Sequence, residues 1–172
     1  MRKTEALSKL HDRDGFDCGS ELLNLFLRNT ARQHGERGIS RTFVLVAEED
    51  APPKLILGFF SLNICQIKSD GLTPAEAKRL PRDVSGVRLG RLAVAKGMQR
   101  QGIGKTLVIA AMRKFSEIFE TAGGIGLFVD AKDGEAKRYY EQFGFIPMPN
   151  AELELYLPVR TIQQLLCDNR EA

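Results

Sequence analysis

The longest regular pattern in the chain lies between Ile103 and Phe119, where Ile103, Leu107, Ala111, Phe115 and Phe119 recur every fourth residue. That period places all five on one face of a helix over 104–122, and Gly123-Gly124 marks its end. "VRLGRLAV" (87–94) before it and "IGLFVD" (125–130) after it read as strands. The second is almost wholly apolar, as expected of a strand covered on both faces. Strand, loop, helix and strand make a right-handed parallel crossover. Upstream, Leu22, Leu23, Phe26 and Leu27 predict the apolar stripe of a helix from about Ser20 to Gln33, capped by Asp17 or Ser20 and broken by "HGERG". "RTFVLVAEE" (41–49) and "KLILGFFSLNICQI" (54–67) follow as an antiparallel pair turned at Pro52-Pro53.

"TPAEAKRLP" predicts a short helix, with Thr73 as cap, Pro74 in the first helical position and Glu76 completing a capping box. Downstream, "EAKRYYEQF" reads as a helix and "VRTIQQLL" as a closing one. Between them "ELELYL" alternates Leu153, Leu155 and Leu157 against Glu152, Glu154 and Tyr156, the pattern of a half-buried strand. The sum is an α/β fold, a mixed central β-sheet with helices on both faces, in a single domain over 1–172. No repeat or linker divides it.

Composition narrows the class. At 172 residues the chain is long enough to bury a core without disulfides or metal. Three scattered cysteines fit reduced cytosolic thiols. No Cys-x-x-Cys or His-x-x-x-His pair suggests zinc, and no metal is expected. The N-terminus has no apolar signal core, and no stretch approaches the eighteen or so apolar residues of a membrane span, so the expected location is the cytoplasm. The net charge of +3 is mild, so its distribution matters more than its sum.

"QRQGIGKT" (99–106) carries the chemistry. Gly104-Lys105-Thr106 imitates the end of a P-loop, with Asp130 in the place of a magnesium-binding aspartate. A P-loop, however, needs glycine where Gln99 stands. Lys105 and Thr106 are then plain first-turn helix residues. Gln99-x-x-Gly102-x-Gly104 has the other useful spacing. Glycines without Cβ let main-chain N–H groups approach a diphosphate, and the helix that starts there adds its unpaired amides and positive end. Arg100, Lys96 and Lys105 offset further charge.

These residues resemble the acyl-CoA loop of the GCN5-related N-acetyltransferases (GNAT), of the form Gln/Arg-x-x-Gly-x-Gly/Ala. The resemblance implies acetyl-CoA as co-substrate. Gln99, Arg100, Gln101, Gly102, Ile103, Gly104 and Lys105 would form the diphosphate loop. Leu92, Ala93 and Val94 would lend main-chain groups to the pantetheine arm, with the Val94 amide the first choice to hold the oxyanion. "FDCG", "ARQHGERG", "RLGRLAV", "VDAK" and "YYEQFGF" together are similar to the acetyltransferase toxins of type II toxin–antitoxin modules. That implies acetylation of the α-amino group of aminoacyl-tRNA, translation block, a ribbon-helix-helix antitoxin and a homodimer. It also implies Tyr140 as the catalytic tyrosine, acting as acid to the departing thiol or as hydrogen-bond donor, with Tyr139 the fallback one position away.

The chemistry is compatible with that substrate. An α-amino group titrates near 8 and a lysine near 10.4, so an α-amine needs less help from a base, and no histidine lies near Tyr140 in sequence. Arg28, Arg32, Arg37 and Arg41, with Arg88 and Arg91, are the candidate tRNA contacts. His34, Lys78, Arg79 and Arg82 are lesser ones. Two other functions remain open: a GNAT enzyme for a protein N-terminus or small amine, and a module that only binds.

Overall fold

A computed structural model describes residues 1–170. The fold is mixed α/β: a seven-stranded, mostly antiparallel sheet flanked by helices. Its strands are β1 (Arg2–Ala6), β3 (Arg41–Ala47), β5 (Gly58–Lys68), β6 (Asp83–Val94), β7 (Gly126–Asp130), β9 (Ala151–Pro158) and β8 (Ile146–Met148), hydrogen-bonded in that order. A separate two-stranded parallel ribbon joins β2 (His11–Asp12) to β4 (Lys54–Leu55). The helices are α1 (Glu21–Leu25), α2 (Ala31–Glu36), α3 (Pro74–Ala77), α4 (Ile103–Ala122), α5 (Gly134–Glu141) and α6 (Val159–Asp168). Among the described residues no helix is long and apolar enough to cross a membrane.

The chain gathers into two compact units. Met1–Asn63 with Gly90–Ala111 form one, and Ile64–Leu89 with the chain from Met112 onward form the other. In the first, β3 runs antiparallel to both β1 and β5. Phe16, Phe26, Leu27, Ala31, Val44, Val46, Ile56, Phe59 and Ala93 close its core. In the second, β6 and β7 are the parallel pair that the crossover requires, and β9 runs antiparallel to β7 and β8. Ile67, Leu72, Val84, Phe128, Met148 and Tyr156 pack together there.

Several elements differ from the sequence expectation, each for a physical reason. The early helix is α1, a π turn over Phe26–Thr30, and α2 in succession. Its inward positions are Asn24, Phe26, Leu27 and Ala31, whereas Leu22 is 83% exposed, so the apolar stripe does not include it. Ser20, not Asp17, supplies the cap, accepting from Leu23 N. The predicted strand over 54–67 is two strands, because β4 turns to pair with β2 before β5 begins. Thr73 does not cap α3 through its side chain; its hydroxyl donates instead to Glu76 Oε2 at 3.0 Å. In β9 Tyr156 is buried and Leu153 is 42% exposed, so the simple alternation fails. Tyr156 stacks on Phe128 with ring centroids 4.8 Å apart, and its hydroxyl donates to Ile125 O, which satisfies a tyrosine inside.

Candidate active site

The loop between β6 and α4 has an unusual backbone. Arg100 sits at φ 61° and Gly102 at φ 77°, and among the described residues Arg100 is alone of the non-glycines in that left-handed region. An L-residue is strained there, by roughly 1–2 kcal/mol, which marks the loop as shaped for use. A Cβ built on Gly102 would meet nothing within 4 Å, so the cradle in front of it is open. Thr106 N and Oγ1 both donate to Gly102 O, at 3.1 and 3.2 Å. Thr106 therefore closes the first helical turn, while the earlier amides of α4 have no acceptor within the helix. Asp130, the other half of the P-loop imitation, is ion-paired to Arg88 at 2.8 Å. An open cradle, two left-handed residues, a helix start and exposed Arg100 and Lys105 suit a diphosphate.

Three further residues shape the loop from within. Gln99 Nε2 donates to Cys18 O and Val94 O, both at 3.1 Å. Lys96 faces Asp17, with Nζ 3.3 Å from Oδ2, and Gln101 Nε2 donates to Gly97 O. The side chains of Gln99 and Lys96 thus act on the protein, and only the main chain of Gln99 remains for a ligand. Leu92, Ala93 and Val94 end β6. The register of β6 with β7 consists of Val87↔Leu127 and Arg88↔Phe128, so these three lie past its end.

In the second unit α5 is capped by Asp133, whose Oδ1 accepts from Ala136 N at 2.8 Å. It carries Tyr139 and Tyr140, with ring centroids 5.5 Å apart. Tyr139 lies edge-on to Phe143, and Tyr140 edge-on to Phe145 at 5.5 Å. Among the described residues neither hydroxyl has a hydrogen-bond partner, unlike that of Tyr156. Burial, with a smaller push from Tyr139, raises the Tyr140 phenol to about 12. Burial also raises Tyr139. Tyr140 is therefore a protonated donor throughout the neutral range and cannot serve as a base.

The six arginines proposed for nucleic acid separate into two groups. Arg28 and Arg32 line a cavity of about 470 Å³ with Arg13, Asn29, Gln33 and Glu36. Its acid, Glu36, pairs with Arg32 at 3.3 Å, and Arg13 Nη1 donates to Arg28 O at 3.0 Å. Arg37 and Arg41 are exposed. Arg88 and Arg91 are otherwise engaged. Arg88 bridges Asp130 and Glu154, at 2.8 and 3.6 Å, and its charge is offset. Arg91 lies over the Phe26 ring, 3.7 Å from its centroid. Sequence reasoning missed Arg13, because nothing in its neighbourhood announces a contact with a helix fifteen residues on. His11 and His34 are structural. His11 is buried against Glu5, and His34 meets Phe26 and Ser40.

Comparison with known proteins gives consistent results. A family model described as an acetyltransferase (GNAT) domain matches residues 39–147. A tRNA-acetylating toxin of Mycobacterium tuberculosis is 26% identical over 162 residues, 94% of this chain and 95% of its own. Among solved structures, AtaT complexed with acetyl-methionyl-tRNAfMet is 32% identical with a TM-score of 0.88, covering 96% of this chain and 99% of that one. A tyrosine-to-phenylalanine mutant of AtaT, bound to the C-terminus of the antitoxin AtaR and acetyl-CoA, is 31% identical with a TM-score of 0.81, over 96% and 98%.

Proposed function

The chain belongs to the GNAT family of acetyltransferases and is an acetyl-CoA-dependent acyltransferase, and from that premise we propose that it is the toxin of a type II toxin–antitoxin module. It transfers acetyl to the α-amino group of aminoacyl-tRNA and so blocks translation. The observation that carries this reading is the near-complete length over which the chain matches AtaT, a protein solved with an acetylated aminoacyl-tRNA. The family match includes residues of both compact units, and we treat 1–172 as one catalytic domain.

Acetyl-CoA supplies the activated acetyl group. The loop Arg100, Gln101, Gly102, Ile103, Gly104 and Lys105 holds the diphosphate, with Gln99 contributing through its main chain. Leu92, Ala93 and Val94 carry the pantetheine arm, and the Val94 amide serves the acetyl oxygen. Tyr140 keeps its proton and presents it to the sulfur. With Tyr140 unable to accept a proton and both histidines in structural contacts, an amine already largely neutral near pH 7–8 is the fitting acceptor. Arg13, Arg28 and Arg32, with Arg37 and Arg41, contact tRNA phosphates. We further propose a ribbon-helix-helix antitoxin as partner, a homodimer, and a cytoplasmic location, where charged tRNA is found.

The test is to incubate the protein with labelled acetyl-CoA and total charged tRNA. Label in the aminoacyl-tRNA fraction, and growth arrest on expression, are expected. Label confined to peptide N-termini or polyamines would overturn the reading in favour of a different amine substrate.

A further inference from the structure

Asn24 is out of place by every local rule. Asparagine is a poor residue inside a helix, yet Asn24 sits within α1 and is only 5% exposed. A buried amide must find partners for both ends, and both ends of Asn24 point to the same turn. Its Nδ2 donates to Asp17 Oδ1 at 3.0 Å, and its Oδ1 accepts from Cys18 N at 2.9 Å. Asp17 Oδ1 also accepts from Gly19 N at 2.9 Å, and Phe16 anchors the turn edge-on against Phe59.

This turn is the surface on which the cofactor loop is built. Lys96 N donates to Asp17 O at 2.9 Å, and Lys96 Nζ faces Asp17 Oδ2. Gln99 Nε2 donates to Cys18 O as well as to Val94 O. A continuous set of hydrogen bonds therefore runs from Asn24 to Asp17 and Cys18, then to Lys96 and Gln99. Beyond Gln99 come Arg100 and Gly102, the two left-handed residues of the cradle. No substitution keeps all of this. Aspartate cannot donate, and it would set a second carboxylate beside Asp17. Serine is too short to make both bonds, and leucine makes neither.

We propose that Asn24 is a positioning residue for acetyl-CoA, holding the Asp17–Cys18 turn and, through Lys96 and Gln99, the diphosphate loop in its binding shape. The inference rests on the reading of that loop as the acetyl-CoA site and is independent of which amine is acetylated.

The experiment titrates acetyl-CoA against the purified full-length chain by calorimetry, without tRNA. Asn24→Ala and Asn24→Asp are expected to bind about tenfold more weakly than wild type, with melting profiles confirming that they fold. Gln99→Ala should lose a similar factor. Because both substitutions sever one set of bonds, the double variant Asn24→Asp/Gln99→Ala should be no worse than the weaker single by more than about threefold. Losses that multiply to near a hundredfold would mean that Asn24 and Gln99 act on the loop separately, and would overturn the link between them. Should the variants not fold, hydrogen exchange in the wild type decides. By reciprocity, acetyl-CoA should slow exchange at the Cys18 and Lys96 amides, whose acceptors are Asn24 and Asp17. A folded Asn24→Asp that binds within twofold of wild type, or unchanged exchange at both amides, overturns the inference. If the wild type itself fails to bind acetyl-CoA, the site is lost and this role with it, whereas binding without tRNA acetylation removes only the proposed substrate.

Discussion

Tyr140→Phe deletes one oxygen from a ring held edge-on by Phe145, and that oxygen has no hydrogen-bond partner among the described residues. The structural cost should be near zero, within about 0.5 kcal/mol, as for other substitutions that break no contact. The catalytic cost depends on what the phenol does. With the phenol raised to about 12 and an alkyl thiol near 8.5, full proton transfer to a departing thiolate is uphill by more than three pH units. Donation of a hydrogen bond to the anionic sulfur avoids that difficulty, and a bond to a charged partner contributes about 1.5–3 kcal/mol. At about 1.36 kcal/mol per tenfold, Tyr140→Phe should slow transfer by roughly 10- to 150-fold. A true general acid would lose roughly 10²- to 10⁴-fold. The assay is the initial rate of label transfer at saturating acetyl-CoA, run beside thermal melts. Tyr139→Phe should stay within threefold. Tyr156→Phe should keep its rate but lose about 1 kcal/mol of stability, because its hydroxyl bonds Ile125 O at 3.1 Å. A loss beyond a thousandfold at Tyr140 would refute the hydrogen-bond role. A loss at Tyr139 instead would refute the assignment itself.

Other outcomes follow from single contacts. A methyl on Gly58 would lie 2.9 Å from both Ala93 O and Leu107 Cδ1, so Gly58→Ala should cost about 1–3 kcal/mol in denaturant melts and raise the KM for acetyl-CoA. Gly97→Ala, with nothing within 4 Å, should change stability by less than about 0.5 kcal/mol. Arg28→Ala and Arg32→Ala should each flatten the log–log salt dependence of tRNA binding by about one unit and leave acetyl-CoA binding intact. Glu5 is lowered to about 2, first by Lys54 and then by His11 and Lys3. A depressed carboxylate stabilises above its unfolded pKa, so Glu5→Gln should cost about 1–2 kcal/mol near pH 6, and the gap should close as pH falls from about 4.5 towards 2. The pH–rate profile should rise with loss of the amine proton and show no alkaline fall below about pH 10, since Tyr140 keeps its proton; a descending limb near 8–9 would contradict that.

The fold was legible where burial writes a period. Ile103, Leu107, Ala111 and Phe115 are all buried, and "IGLFVD" became the buried strand β7. It was not legible where partners decide. β1, "RKTEA", reads as polar chain, yet it pairs with β3 as an edge strand, where charge keeps the open side from pairing further. The apolar run from 54 to 67 holds no mark of the point at which its hydrogen bonds change from β2 to β3. Tyr156 looked outward by parity, but a second covered face and one carbonyl were enough to bury it.

The candidate site divides along the same line. The candidate diphosphate loop was visible because its requirement is local: the backbone turns left-handed at 102, and glycine is the residue that does so without strain. The two tyrosines were visible through a family resemblance, and the structure then adds what resemblance cannot, namely that neither hydroxyl is engaged while that of Tyr156 is. Arg13 and Asn24 were invisible because Arg13 acts on a helix fifteen residues on and Asn24 reaches back to the turn before its own helix, with no spacing rule to announce either. Gln99 shows how the two kinds of information meet. Its place in the motif announces a ligand loop, yet its amide donates to Cys18 O and Val94 O, so the motif residue shapes the loop as well as lining it. An acid or a short side chain at 99 could not donate to both carbonyls at once.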